Sequence, residues 1–337
     1  MTSEHPPTER LFEIGSAYRQ SKILLSAVEL GVFSELAAGP LDARDLARRI
    51  QVHDRPARDF FDALVATGLL NRDDEGRYRN TEESDFYLDR AKPTYLGASF
   101  DQYNRREYAL WGCLTQSLQT GNPAAETHGQ DHFGSLYNDA ARFRTFVTAM
   151  TSGSLLAAQG IARQFPWENY QTLCDVGTAQ GCLPVQVALT HPHVHAIGFD
   201  LPMLRCAFEE YAFERNVADR VSFAGGDFFK DSLPQADVVV LGRVLHNWDL
   251  EAKKMLLEKA YRAIRTGGAI IVYDLLIDDD RRASAAGLLS SLNMFLWTAG
   301  GFGYTARDCT NWMRSAGFAK TTVRDLPGGN AMIIGEK

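Results

Sequence analysis

From Tyr170 onward the chain alternates short apolar runs with helical segments, and this alternation restricts the possible folds more than any other feature. TLCDV, VHAIGFD, RVSFAGG, ADVVVLGRV and AIIVYDLL read as strands. LPVQVALT, MLRCAFEEYAFERN and EAKKMLLEKAYRAIR carry helical spacing between them. Strands separated by helices do not pair as tight hairpins, so parallel pairing follows. The last of these helices is expected to stop at Thr266-Gly267-Gly268, a glycine stop signal. The tail TTVRDLPGGNAMIIGE reads as two strands about a Pro-Gly-Gly-Asn turn. Residues 166–337 are therefore expected to form an α/β, Rossmann-like doubly wound sheet closed by a C-terminal antiparallel hairpin.

Residues 1–90 follow a different rhythm. Apolar positions recur at helical spacing from Ile14 to Leu36, and Gly39-Pro40 is expected to end that helix. LDARDLARRI and RPARDFFDALVATGLL read as two further helices. NRDDEGRYRNT, with Asp74-Glu75-Gly76 as a turn, reads as a β-wing. Three helices and a wing make a winged helix, a shape often used on DNA. Here the candidate recognition helix sets Asp54, Asp59 and Asp62 against Arg55 and Arg58, which offers phosphates no net attraction. Its Phe60, Phe61 and Leu64 point to burial. A mainly α packing or dimerisation module is the better reading, with a DNA-binding regulator as the alternative from a different class. Residues 91–165 are expected to be a helical linker supplying pocket and dimer helices, with Tyr95, Phe100, Tyr103, Tyr108, Trp111, Phe133, Tyr137, Phe143 and Phe146 mostly serving its core.

Composition narrows the setting. A chain of 337 residues favours two domains, and a net charge of −7 argues against nucleic-acid or anionic-membrane partners held by bulk charge. The five cysteines form no C-x-x-C pair, so no disulfide framework or zinc site is expected and a cytoplasmic location fits. The opening MTSEHPPTER has no apolar core, and no run approaches the roughly 18 apolar residues of a membrane span. His193 and His195 could suggest a metal, but no Cys, Asp or Glu stands at ligand spacing, so no metal site is expected.

Open parallel sheets bind ligands beyond the carboxyl ends of their strands. The first such loop is DVGTAQG, with Asp200 and Asp227 closing the second and third strands. A pyrophosphate cofactor would call for G-x-G-x-x-G, whereas Ala179 holds the middle glycine position. S-adenosylmethionine has no pyrophosphate. Asp200 suits its ribose hydroxyls, and Asp227-Phe228 suits its adenine. In LGRVLHNWDLE, His246 follows a buried strand, where it could act as a general base, while Trp248 and Asp249 start the next helix.

DVGTAQG, FDLP (199–202), GGDFF (225–229), RVLHNWDLE (243–251), RTGG (265–268) and GGFGYT…AGF (300–318) together resemble the S-adenosylmethionine-dependent O-methyltransferases of the caffeic acid and hydroxyindole type. The resemblance covers nearly the whole chain. It implies a class I methyltransferase sheet behind a winged-helix dimerisation domain, and hence a homodimer. It implies that His246 is the catalytic base and Asp274 its orienting acid. Cofactor contacts fall on Gly177, Asp200, Asp227, Phe228, Gly242 and Arg243. An aromatic acceptor would meet Phe146, Met150, Asn293, Met294 and Trp297, in a pocket expected between the domains. The sequence departs from the family at Ala179 and Gln180 in the loop, at Asn247 in place of an aspartate, and at Gly303 where a second acid often stands. The expected reaction is methyl transfer to a hydroxyl of an aromatic or polyketide-like molecule. C- or N-methylation and non-methylating chemistry (hydroxylation, decarboxylation, pericyclic) are the alternatives.

Overall fold

In the computed structural model of the protein, residues 6–125 and 140–337 are described, so Phe133 and Tyr137 lie outside the described residues. Two compact units emerge, Met1–Ala109 and Leu110–Lys337, and the stretch 91–165 is shared between them.

In the first unit the helix begun at Glu9 ends at Leu30 rather than running on to Leu36. Gly31, at φ 77°, takes the left-handed conformation open to glycine, and its N–H caps the carbonyls of Ala27 and Val28. A short helix, Val32–Leu36, then turns inward. Helices Ala43–Arg49 and Asp54–Ala66 are started by Asp42 and His53. The wing is an antiparallel pair, β1 (Leu70–Arg72) and β2 (Tyr78–Asn80). Phe61 and Leu64 are fully buried with Val28, Phe33, Leu46 and Tyr78, so the helix with recognition-like position spends its apolar face on the core.

The second unit is built on seven strands: β3 (Thr172–Val176), β4 (His195–Asp200), β5 (Val221–Gly225), β6 (Ala236–Gly242), β7 (Ile264–Asp274), β8 (Lys320–Asp325) and β9 (Ala331–Glu336). Their order is β5-β4-β3-β6-β7-β9-β8. The first five pair in parallel, while β9 runs antiparallel to both β7 and β8. Both faces are covered. Leu173, Val238, Val240 and Ile271 meet one apolar layer, and the intervening Cys174, Val239, Leu241 and Ile270 meet the other.

The helix Leu250–Ala263 stops short of the expected glycines, and β7 begins at once at Ile264. Ile264 pairs with Ala236 across a register shift, so ladder bonding overrides the local stop signal. Register sets Asp200 beside Gly225 and Gly242 beside Tyr273, which lines up the strand ends on one edge. The chain order reverses at β3, which has β4 on one side and β6 on the other. This reversal opens the crevice in which such sheets take ligands.

Candidate active site

On the β3–β5 side, the loop after β3 wraps the end of β4. Gly177 (φ 77°), Ala179 (φ 50°) and Gly181 (φ 84°) all lie in the left-handed region. A side chain at 177 would approach Val244 Cγ2 to 2.6 Å, so only glycine fits that turn. The Ala179 N–H donates to Asp200 Oδ2 at 2.9 Å, and the Leu201 N–H donates to Oδ1 at 2.8 Å. No cation pairs with Asp200 among the described residues, and burial pushes its carboxyl up to about 6. Each oxygen keeps a lone pair. A half-satisfied acid without a cation suits neutral hydroxyl donors, the chemistry of a ribose diol. Behind it, Thr178 Oγ1 donates to Asp175 Oδ2 at 2.8 Å, and burial lifts Asp175 to about 7.

Beyond β5, Asp227 Oδ1 accepts from the Phe229 N–H at 2.9 Å, and Lys230 pairs with Oδ2 at 3.0 Å. Burial pushes this acid up, but those two donors outweigh it and hold it below the ordinary range. The rings of Phe228 and Phe229 meet the Trp248 indole edge-on at 5.9 and 4.7 Å. Trp248 thus does more than precede a helix. Asp249 is that helix's N-cap, accepting from Ala252 N–H at 2.9 Å. Taken together, a glycine turn, an uncompensated acid and an aromatic wall fit an adenosine moiety.

On the β6–β7 side, β6 ends at Gly242, whose hydrogens lie where a Cβ would come within 2.1 Å of the Tyr273 ring. Arg243 takes φ 54°, and its guanidinium donates to the Gly153 carbonyl at 3.4 Å. A one-turn helix, Leu245–Asn247, follows. The Asn247 amide donates to the carbonyls of Arg243 and Val244, a closure an aspartate could not make. That turn delivers His246, 6% exposed, to the end of β7. Its Nδ1 lies 2.7 Å from Asp274 Oδ1. Burial pushes Asp274 up, yet the His246 ring, the Arg243 guanidinium and the Leu275 N–H hold it below the ordinary carboxylate range. An ionised acid on Nδ1 fixes the tautomer and leaves Nε2 as the nitrogen able to take a proton.

The expected acceptor residues fall on two helices. Phe146 is half-buried against the core and Met150 is exposed, both on Ala140–Gln164. Asn293, Met294 and Trp297 are half-buried on Ala285–Trp297. Asn293 Oδ1 accepts from the Trp111 indole at 3.0 Å, and the Met294 carbonyl accepts from the Thr298 N–H. His191 and His193 each set Nε2 against a backbone carbonyl, of Ala162 and Trp167.

Two residues escaped sequence reasoning. The Tyr304 hydroxyl donates to Asp274 Oδ2 at 3.2 Å. Lys253 is fully buried; its ammonium donates to the Trp248 carbonyl and lies 3.2 Å from the Phe302 ring centroid. Burial lowers it to about 7. Its spacing with Leu256, Leu257 and Ala260 is that of one helical face, which is the signal that could have found it.

A parallel sheet with a crevice at its switch point, an acid at the end of β4 that pairs with no cation among the described residues, and a buried histidine–acid pair suits a group-transfer enzyme that holds a nucleoside cofactor. The O-methyltransferase domain model matches residues 111–319, and the O-methyltransferase dimerisation domain matches residues 12–90. The chain belongs to the O-methyltransferase family, which depends on S-adenosylmethionine. It is similar to the tetracenomycin polyketide synthesis 8-O-methyl transferase of Streptomyces glaucescens, 39% identical over 97% of this chain and 96% of that protein. An N,N-dimethyltransferase of Streptomyces rimosus is 40% identical over 80% and 78%. Among solved structures, human N-acetylserotonin methyltransferase in complex with S-adenosylmethionine superposes with a TM-score of 0.91 at 29% identity, covering 100% of this chain and 99% of that one.

Proposed function

We propose that the protein transfers a methyl group from S-adenosylmethionine to a hydroxyl of an aromatic or polyketide-like small molecule, with His246 as general base and Asp274 as the acid that orients it. The buried 2.7 Å contact between His246 Nδ1 and Asp274 Oδ1 carries this reading. A phenol, with pKa about 10, is a poor nucleophile until its proton leaves. His246 Nε2 takes that proton while Nδ1–H stays bonded to Asp274, which remains ionised and steadies the imidazolium. When bound, S-adenosylmethionine supplies an electrophilic methyl group on a sulfonium. Gly177, Asp200, Asp227 and Phe228 would hold its adenosine, with Gly242 and Arg243 as further cofactor contacts. Phe146, Met150, Asn293, Met294 and Trp297 contact the acceptor. The 39% identical relative, a polyketide synthesis 8-O-methyl transferase, supports this acceptor class. The test is mass spectrometry of products from matched phenol and arylamine panels; methylation of amines alone would move the assignment to nitrogen. N-methylation is the second reading, favoured by the N,N-dimethyltransferase relative.

The dimerisation-domain match and the exposed Phe12, Ile14 and Tyr18 on the first helix support a homodimer. Light scattering should return twice the 37.5 kDa of one chain, and a monomer at micromolar concentration would refute pairing. Arg58 and Arg72 are both drawn to Asp62, which supports a winged helix without a nucleic-acid partner. Among the described residues no helix is long and apolar enough to cross a membrane. The five free cysteines support a cytoplasmic setting.

A further inference from the structure

Asp274 is gripped at both oxygens: Oδ1 faces His246 Nδ1 at 2.7 Å and the Leu275 N–H at 2.9 Å, and Oδ2 accepts from Tyr304 at 3.2 Å. We propose that Tyr304 is a positioning residue, which sets through Asp274 how tightly His246 holds its proton. This rests on the reading of His246 as the base.

The phenol is locked in place. Tyr304 is 1% exposed, its carbonyl accepts from the Ile277 N–H at 3.0 Å, and its ring meets Trp312 at 5.4 Å. The next residue, Thr305, starts the helix Ala306–Ala316 with a reciprocal cap to Asp308. Next to it, Gly303 is packed too closely to carry a side chain. Its N–H donates to Ser291 Oγ at 2.9 Å, and a Cβ there would come within 2.9 Å of Ser291 Cβ. An acid at 303 would have to push the helix Ala285–Trp297 away, so this packing excludes a second carboxylate. Lys253, Arg243 and Cys309 also face Asp274 electrostatically. Burial raises Tyr304 well above the ordinary phenol range, so it stays a neutral donor.

Removing the donor concentrates charge on Asp274, which then stabilises the imidazolium more strongly. The experiment follows the His246 ring carbon–proton signal against pH in full-length, histidine-labelled protein, with His246→Gln for assignment. A Lys253→Met background removes the ammonium that burial lowers to about 7. Tyr304→Phe should raise the titration midpoint by about half a pH unit or more. Incorporating 3-fluorotyrosine at 304, a stronger donor of almost the same shape, should lower it; this second arm decides the matter if Tyr304→Phe fails to fold. In an Asp274→Asn background the Tyr304→Phe shift should vanish. Equal midpoints, or a shift that survives Asp274→Asn, would overturn the proposal. The readout is the ring itself, so a His246→Gln protein that still methylated would end the base reading without touching this coupling.

Discussion

At the end of β4, Asp200 is held by two backbone N–H groups; at the end of β7, Asp274 is held largely by side chains, His246 and Tyr304. The consequences for charge are opposite. Among the described residues Asp200 pairs with no cation and is pushed up to about 6, whereas Asp274, the more deeply buried of the two, is held low. At Asp200 two backbone donors position the acid without fully satisfying it, which leaves capacity for a ligand. Side-chain donors finish the job, and the acid then serves its protein neighbour. On the proposed reading, one half of the edge binds cofactor and the other holds a ring.

Breaking the side-chain half should have the larger effect. Asp274→Asn keeps the shape but loses the charge that orients His246. Turnover should fall by roughly 10- to 100-fold, less than the loss of the base itself, with S-adenosylhomocysteine affinity unchanged in calorimetry. Loss of affinity instead would erase the division between the halves.

The binding half should fail in the opposite pattern. Asp200→Ala should weaken S-adenosylhomocysteine by about 1–3 kcal/mol, the scale of a hydrogen bond to a charged group, while turnover at saturating cofactor is kept. Tighter binding of NAD than of S-adenosylhomocysteine would sink the assignment. The same acid predicts a pH dependence. Hydroxyl donors favour the ionised carboxylate, so affinity should be full above about 6 and decline as pH falls through it, by up to about ten-fold per unit. Asp200→Ala should flatten that slope, and an equal slope in the variant would assign it elsewhere.

The two halves also differed in how far they could be read from the sequence. The places of Asp200 at a strand end and of the glycine turn were legible because local signals carry them: an apolar run, an acid at its end, a glycine where the chain must turn. Asp227 falls two residues past the end of β5. His246 and Asp274 were paired through a family resemblance; the 2.7 Å contact itself depends on β6 and β7 lying side by side. Tyr304 was not legible at all, because nothing in GGFGYT says that its hydroxyl will meet an acid 30 residues earlier. The same limit explains the element boundaries. Gly31 broke a helix that its apolar spacing continued, and ladder pairing at Ile264 overrode the glycines that follow.

The claim that unites the β7 half is that His246 takes the acceptor's proton. Its most direct test is the pH–rate profile of wild type against His246→Gln, on a phenol that wild type methylates. The variant should turn over about two to four orders of magnitude more slowly near neutral pH. The gap should close as pH approaches the phenol's own pKa, where the proton leaves unaided. Equal rates at neutral pH, or a gap that stays constant into alkaline solution, would contradict the assignment of His246 as the base.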